Sequence, residues 1–343
     1  MIEDLNSMSL EELEKFFLEI GEKKFRAKQL FSYFHEQNGN DIDELSVFSK
    51  DLRNKIKKID KINKVKIQER FDSKLDATKK YLFLLEDNNI IEGVFMEYPH
   101  GNSVCISTQV GCRMGCKFCA STKDGLIRNL RPSEMLSQIY LMEKDLDVKI
   151  SNIVLMGSGE PLDNYDNVLR FLNLIHDEKG HNISYRNITL STCGIVPKIY
   201  DLAEENIPIT LSISLHSPVD SYRSDIMPIG KKYSIDDIIK ACKFYEDKTK
   251  RRITFEYTLI KGVNDSKDDA IKLKELTRDL NSHVNLISLN PIKEYNKERP
   301  EKSEVYKFQE KLEKLGVNAT VRGEKGLDIS ASCGQLRRDY LDK

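Results

Sequence analysis

The sequence of 343 residues has no long apolar run, no export signal and no excess of charge of either sign. No apolar stretch approaches the roughly 18 residues of a membrane helix, which excludes a membrane-spanning protein. Residues 1–6 have neither a basic nor an apolar segment, so we expect no export and a cytoplasmic location. The net charge of −1 does not predict nucleic-acid binding by the surface as a whole.

The seven cysteines lack the even count and regular spacing of a disulfide-rich secreted domain. Three of them, Cys112, Cys116 and Cys119, lie within eight residues in the spacing C-x-x-x-C-x-x-C. A cubane [4Fe-4S] cluster has four irons, so three thiolates leave one iron open to a small molecule. A zinc site would need a fourth ligand, and the nearest later cysteine is Cys193. The spacing favours an iron–sulfur cluster; zinc and inert core thiols are the alternatives.

The first 62 residues predict a small helical domain. Ser9 and Glu12 form a capping-box pattern ahead of apolar residues at helical spacing, and Ser49 is placed to cap a third helix. A lid or packing domain without a ligand of its own is the simpler interpretation. Residues 63–102 predict a β-hairpin linker around the turn at 87–89.

Strand and helix patterns alternate from residue 103 to residue 322, which predicts parallel βαβ units. We expect an α/β fold, a (βα)6 partial barrel, with a tail at 323–343. The six predicted strands are 103–107, 152–156, 187–191, 209–215, 253–259 and 284–289.

Polar and glycine residues follow several of these strands, at the edge where ligands bind in such folds. The candidates are Gly159, Glu160, Ser191, Ser214, Leu215, His216 and Asn290. Three of them have an ordinary explanation when taken alone: Gly159 and Glu160 as part of a tight turn, and His216 as a structural histidine. Their recurrence at one rim favours a site for a ribose, an adenine or a carboxylate.

Two further thiols lie near the ends of this region. Cys105 precedes the cysteine loop within a predicted strand, where a buried cysteine behaves as a small hydrophobic residue. Cys333 lies near the carboxyl terminus among small residues. Taken singly, both are more simply interpreted as structural, as are Cys193 and Cys242.

A basic segment spans residues 50–70. It holds nine basic and three acidic residues, a local charge of +6. Such a run is commonly a solvated helix face, and RNA binding is the other interpretation.

Taken together, six segments resemble the RlmN family, bacterial dual-specificity RNA (adenine carbon-2) methyltransferases of the radical S-adenosylmethionine (SAM) type. These segments are residues 110–119, 156–162, 190–197, 213–218, 262–265 and 331–336. The sister family Cfr methylates carbon 8 and typically lacks proline after the motif glutamate. Pro161 therefore favours carbon 2.

The resemblance implies roles for single residues. Cys112, Cys116 and Cys119 would hold a [4Fe-4S] cluster, and the rim residues would bind SAM, two molecules per turnover. Cys333 would accept a methyl group as S-methylcysteine, and Cys105 would release the product through a Cys105–Cys333 disulfide bond. Glu92 matches the family's proposed proton acceptor.

The resemblance also implies partners. The substrates would be 23S rRNA and some tRNAs, and the electron donor a protein such as flavodoxin or ferredoxin. We expect a monomer without a membrane partner, and RNA contact through the basic segment. A carbon-8 methyltransferase and a non-catalytic metal-binding RNA module are the alternatives.

Overall fold

A computed structural model describes residues 4–59, 62–290, 292, 295–333 and 335. The described residues form ten α-helices: α1 Leu10–Glu19, α2 Phe25–His35, α3 Lys50–Ile59, α4 Pro132–Leu146, α5 Tyr165–His176, α6 Val196–Glu204, α7 Asp220–Ile226, α8 Ile235–Thr249, α9 Lys267–Thr277 and α10 Lys302–Lys314. None of these helices is both long and apolar enough to cross a lipid bilayer.

The same residues form twelve strands: β1 Lys66–Asp72, β2 Lys79–Leu84, β3 Ile90–Tyr98, β4 Gly101–Cys105, β5 Gln109–Gly111, β6 Leu126–Asn129, β7 Asn152–Leu155, β8 Ile188–Thr192, β9 Thr210–Ser214, β10 Ile253–Leu259, β11 Ser282–Ser288 and β12 Ala319–Val321. Ten of them make one sheet in the order β1-β2-β3-β4-β7-β8-β9-β10-β11-β12, and β5 and β6 pair separately.

The strands from β4 onward in that order are parallel, and at least one α-helix connects each to the next. The predicted α/β class and the six βα units are therefore confirmed. Parallel strands buried on both faces need long apolar runs, and every residue of β10 is buried. The carboxyl ends of these strands lie along one edge and carry the predicted rim residues.

The helical amino-terminal region packs on the barrel helices. The Ser9–Glu12 capping box is present at the start of α1, and Ser49 accepts from the Leu52 amide at the start of α3. Arg170 of α5 donates to Glu12 at 2.6 Å. His35 of α2 lies 3.1 Å from the Tyr140 hydroxyl of α4. The three helices thus share the core of the barrel.

The predicted hairpin is also present, as β2 and β3, but it continues the main sheet. Antiparallel β3 pairs with β4, so Val94 lies opposite Cys105. The predicted boundary at residue 102 thus lies within one continuous sheet.

Candidate active site

The cysteine loop is fixed at both ends by the small β5–β6 sheet. The Cys112 amide donates to the Gly125 carbonyl at 3.0 Å. Gly111 has a φ of 76°, and a Cβ there would lie 2.0 Å from the Gly125 carbonyl oxygen. Only glycine permits so close an approach. Arg113 donates to Asp163 at 2.9 Å, which ties the loop to the segment after β7.

Cys112, Cys116 and Cys119 all line one cavity of about 900 Å³ at the carboxyl ends of the parallel strands. We call it the cofactor cavity. Six of the seven predicted rim residues line it as well: Gly159, Glu160, Ser191, Ser214, His216 and Asn290. The Leu215 side chain is fully buried in the core, and its backbone amide donates to the Glu256 carbonyl at 3.1 Å.

His216 is held in a strained conformation with a φ of 53°. Its Nδ1 accepts from the Thr258 amide at 2.9 Å, so Nε2 carries the hydrogen and can donate. Burial, with a smaller contribution from the Arg223 charge, lowers the pKa of His216 to about 3. A neutral imidazole therefore faces the cofactor cavity at physiological pH.

Glu160 is buried, and each of its carboxylate oxygens accepts one backbone hydrogen bond. The donors are the Leu162 amide at 3.0 Å and the Cys193 amide at 2.8 Å. Burial raises the pKa of Glu160, and these two hydrogen bonds oppose that rise. Gly159 precedes it because a Cβ there would lie 2.7 Å from the Gln109 nitrogen. Close packing of this segment on the β4–β5 connection therefore requires Gly159.

A second cavity of about 570 Å³ adjoins the first and contains Cys105 and Cys333. We call it the thiol cavity. Val94, Met96 and Tyr98, alternate residues of β3, form one wall of it. Cys333 lines both cavities. A group carried on its sulfur therefore has access to both.

Asn290 fixes the position of Cys333 in the tail. Its Nδ2 donates to the Cys333 carbonyl at 2.9 Å. Within the described residues its Oδ1 is buried and has no hydrogen-bond partner. An unpaired buried acceptor is costly, so this oxygen in the cofactor cavity fits a ligand that donates a hydrogen bond.

The seven cysteines are free thiols. The Cys105–Cys333 disulfide implied by the resemblance has no support as a feature of this fold. Burial, with a smaller contribution from Cys333, raises the pKa of Cys105 to about 12. Cys105 is therefore a neutral thiol here, and attack by its thiolate requires that a proton be removed.

Glu92 lies apart from both cavities. It borders a smaller cavity of about 390 Å³, together with Gln109 and Ser121. Its Oε1 lies 3.4 Å from the Lys80 ammonium, and both side chains are largely buried. Glu92 alternates with Val94 along β3, so it faces the same side of the sheet as the thiol cavity wall.

Sequence reasoning missed two charged residues of the cofactor cavity, Glu256 and Arg322. Glu256 is the one charged residue of strand β10. A single carboxylate within an otherwise uncharged buried strand could have been identified from the sequence as a candidate site residue. It accepts from Ser212 at 2.9 Å, and Arg322 lies 3.8 Å from it. Arg322 follows β12, which was not predicted, so no pattern placed it at the rim.

The predicted basic segment is divided between α3 and β1. Lys57 pairs with Asp43, and Arg70 pairs with Asp72 and Asp145. Lys61 lies outside the described residues. The exposed lysines without a carboxylate partner in the described part of the chain are Lys50, Lys55, Lys58, Lys64 and Lys66. The surface available to an anion is therefore smaller than the sequence indicated.

The three loop cysteines fit a cluster. In the described residues no group of three His, Cys, Asp or Glu side chains is arranged to hold one metal ion. A cubane takes each thiolate on a different iron, so its ligands need not meet at one point. Burial raises the pKa of Cys112 to about 12, so iron binding must displace a proton from this thiol.

Comparison with known proteins gives the family. Residues 106–273 match the model of the radical SAM superfamily, and residues 3–62 match the model described as "Ribosomal RNA large subunit methyltransferase N-terminal domain". The "Probable dual-specificity RNA methyltransferase RlmN" of Lachnospira eligens is 53% identical over 342 residues, covering 99% of this chain and 97% of that one. The chain belongs to the RlmN family.

A second RlmN relative, from Clostridioides difficile, is 52% identical over 336 residues, covering 98% of each chain. A crystal structure of a radical SAM methyltransferase from Sphaerobacter thermophilus superimposes with a TM-score of 0.94 at 40% identity, covering 98% of this chain and 99% of that one. Membership of the radical SAM superfamily implies a [4Fe-4S] cluster and SAM as cofactors. The protein is thus a radical SAM RNA methyltransferase, and the non-catalytic module is excluded.

Proposed function

We propose that this protein methylates carbon 2 of an adenosine in 23S rRNA and of the adenosine 3′ of the anticodon in some tRNAs. Cys333 carries the methyl group as S-methylcysteine. The observation that supports this most is that Cys333 lines both the cofactor cavity and the thiol cavity. A methyl group acquired in the first can be delivered in the second.

In this proposal Cys112, Cys116 and Cys119 would hold the cluster. A reduced cluster bound there would supply the electron that cleaves SAM to a 5′-deoxyadenosyl radical. The rim residues that bind SAM in this proposal are the six that line the cofactor cavity, namely Gly159, Glu160, Ser191, Ser214, His216 and Asn290; the Leu215 side chain lies in the core and is not among them. Of these, His216 offers a neutral hydrogen-bond donor, and Asn290 offers an acceptor oxygen that has no partner in the described part of the chain.

A methyl carrier such as Cys333 is needed because of the chemistry of adenine carbon 2. Carbon 2 of adenine is electrophilic and has no nucleophilic lone pair, so direct displacement on SAM cannot methylate it. The Cys333 sulfur is a nucleophile and takes the methyl group from a first SAM, with loss of the thiol proton. A second SAM would supply the 5′-deoxyadenosyl radical, which would take a hydrogen atom from the S-methyl group to give 5′-deoxyadenosine. The resulting methylene radical would then add to carbon 2.

Release of the product falls to Cys105 and Glu92. The adduct would give up one electron to an electron acceptor such as the oxidised cluster. Glu92, which borders a neighbouring cavity on the same side of the sheet, is the proposed acceptor of the carbon-2 proton, and loss of this proton leaves a thioether between Cys333 and the base. Cys105 then attacks the Cys333 sulfur, the carbon–sulfur bond breaks, and the methyl carbon gains a proton. The resulting Cys105–Cys333 disulfide must be reduced by an external dithiol before the next turnover.

The domain boundaries, the RNA contacts, the location and the electron donor are also part of this proposal. We divide the chain into a helical RNA-binding domain at 1–62, a hairpin linker at 63–102, the barrel at 103–322 and a tail at 323–343. The exposed lysines of α3 and β1 contact RNA phosphates. We expect a cytoplasmic monomer reduced by a flavodoxin or ferredoxin.

The direct test is anaerobic reconstitution with iron and sulfide, followed by incubation with SAM, reductant and an RNA containing the target adenosine. Nuclease digestion and mass spectrometry against standards locate the methyl group. We expect 2-methyladenosine. A product methylated at carbon 8, or SAM cleavage without RNA methylation, would contradict the proposal.

A further inference from the structure

A surface groove of about 1080 Å³ lies beside the thiol cavity. Ser288 and residues 322–325 line both, so the groove and the cavity share a wall. Among the described residues, Arg322 is the one that also lines the cofactor cavity. The groove therefore leads to the thiols rather than to the cysteine loop.

The groove carries an excess of positive charge. Its charged lining residues are Arg299, Lys302, Arg322, Lys325, Asp76 and Glu324. Glu324 pairs with Arg299, and Arg322 lies 3.8 Å from Glu256. Neither Lys302 nor Lys325 forms an ion pair among the described residues, although the Asp76 carboxylate lies near enough to Lys325 for the two charges to interact. Two ammonium groups are thus available to an anion.

The groove also presents exposed apolar surface. Leu75 is 70% exposed, and Tyr306 of α10 is 46% exposed. An exposed aromatic ring beside unpaired cations is the combination that binds single-stranded nucleic acid, because the ring stacks on a base and the cations meet phosphates.

We propose that this groove binds the nucleotides that flank the target adenosine, as single-stranded RNA. The proposal rests on the proposed function. An extruded base stays joined to its neighbours by the RNA backbone, so its flanking nucleotides must lie just outside the cavity that receives it. Lys302 and Lys325 contact phosphates, and Tyr306 stacks on a flanking base.

Lys325 lies at the boundary between the groove and the thiol cavity. Its ammonium is 5.3 Å from the ring centroid of Tyr98, a residue of the thiol cavity wall. A phosphate at Lys325 would therefore place the next nucleotide at the entrance to the thiol cavity. The positive charge of the groove could also attract an acidic electron-donor protein. Such a protein would then lie beside the thiol cavity and not beside the cysteine loop that receives the electron, so RNA is the better-matched occupant.

The test measures binding of a fluorescently labelled anticodon stem-loop RNA at several salt concentrations. The double variant Lys302→Ala, Lys325→Ala should reduce the salt slope by roughly 1.5, from two lost phosphate contacts. Tyr306→Ala should weaken binding roughly tenfold, while Tyr306→Phe, which keeps a stacking ring, should stay within about twofold of wild type. Lys307→Ala is the matched control, because Lys307 is exposed on α10 but does not line the groove.

Thermal unfolding checks that each variant folds. Wild-type affinity and salt slope in the lysine double variant, or equal loss in Lys307→Ala, would overturn the inference. So would unchanged RNA binding together with lost reduction by flavodoxin, which would assign the groove to a protein. If the wild-type protein neither binds nor methylates the RNA, the proposed function itself fails, and the two failures are thereby distinguished.

Discussion

Asn290 anchors Cys333: the Asn290 amide nitrogen donates to the Cys333 carbonyl oxygen at 2.9 Å. Asn290 lies just after β11 of the barrel, and Cys333 lies in the tail, so this bond positions the proposed methyl carrier. Asn290→Asp keeps an acceptor but removes the donor. We expect methyl transfer to fall roughly 10- to 100-fold, because small misplacements of a reacting group are costly.

A second measurement separates anchoring from chemistry. Alkylation of the protein without cofactors, followed by peptide mass spectrometry, should show faster modification of Cys333 in Asn290→Asp. Cys193, which is 5% exposed, serves as the internal reference. An unchanged alkylation rate at Cys333 would show that the hydrogen bond does not hold the tail.

The cluster assignment predicts a shared outcome for three variants. Cys112→Ala, Cys116→Ala and Cys119→Ala should each lose the cluster and SAM cleavage, because two thiolates cannot hold the cubane with one iron open. Iron analysis and 5′-deoxyadenosine formation measure this. Cys242→Ala is the control, since Cys242 is a buried thiol of α8. Full iron content in any of the three would contradict the assignment.

The buried Lys80–Glu92 pair predicts a requirement for positive charge at residue 80. The Lys80 ammonium lies 3.4 Å from the Glu92 carboxylate, and removing one partner leaves the other charge buried and unpaired. Lys80→Met should therefore lower the rate of RNA methylation, whereas Lys80→Arg, which keeps the charge, should stay closer to wild type. Initial rates of RNA methylation measure this, with thermal unfolding as the check on folding. A wild-type rate in Lys80→Met would contradict the requirement.

Two buried histidines predict loss of stability in acid. Burial lowers the pKa of both His35 and His216 from 6.5 to about 3. The unfolded chain takes up these protons first, so stability present above pH 6.5 is lost as the pH falls toward 3. Between pH 6 and 5, His35→Gln should lessen the slope of unfolding free energy by about 1 kcal/mol per pH unit, because the unfolded histidine is mostly protonated there. Urea titrations at several pH values measure this slope, and a slope equal to that of the wild type would contradict the prediction.

Much of the barrel could be predicted from the sequence. Buried strands such as β10 form mostly apolar runs, and helix caps such as Ser9 depend on neighbouring residues alone. Both can therefore be predicted without knowledge of the tertiary structure. Strand β1 was missed because it is an edge strand with alternating exposure and four charged residues. Strand β12, with three residues, was too short to show a pattern.

The sequence predicted the site less well at positions where side-chain direction decides which residues face the cavity. The rim residues could be grouped because parallel strands end at one edge. Leu215 could not be separated from Ser214 and His216 by spacing alone, and its side chain lies in the core. Arg322, which lines both cavities and the groove, follows a strand that the sequence did not reveal.

The central claim is that Cys333 carries the methyl group to RNA and Cys105 releases it. The most direct measurement uses Cys105→Ala produced in cells and analysed on a denaturing gel with and without nuclease. The account predicts a slower, nuclease-sensitive band of protein joined to RNA, absent from the Cys105→Ala, Cys333→Ala double variant, because a thioether does not hydrolyse at neutral pH. Normal turnover by Cys105→Ala without that band would contradict the claim.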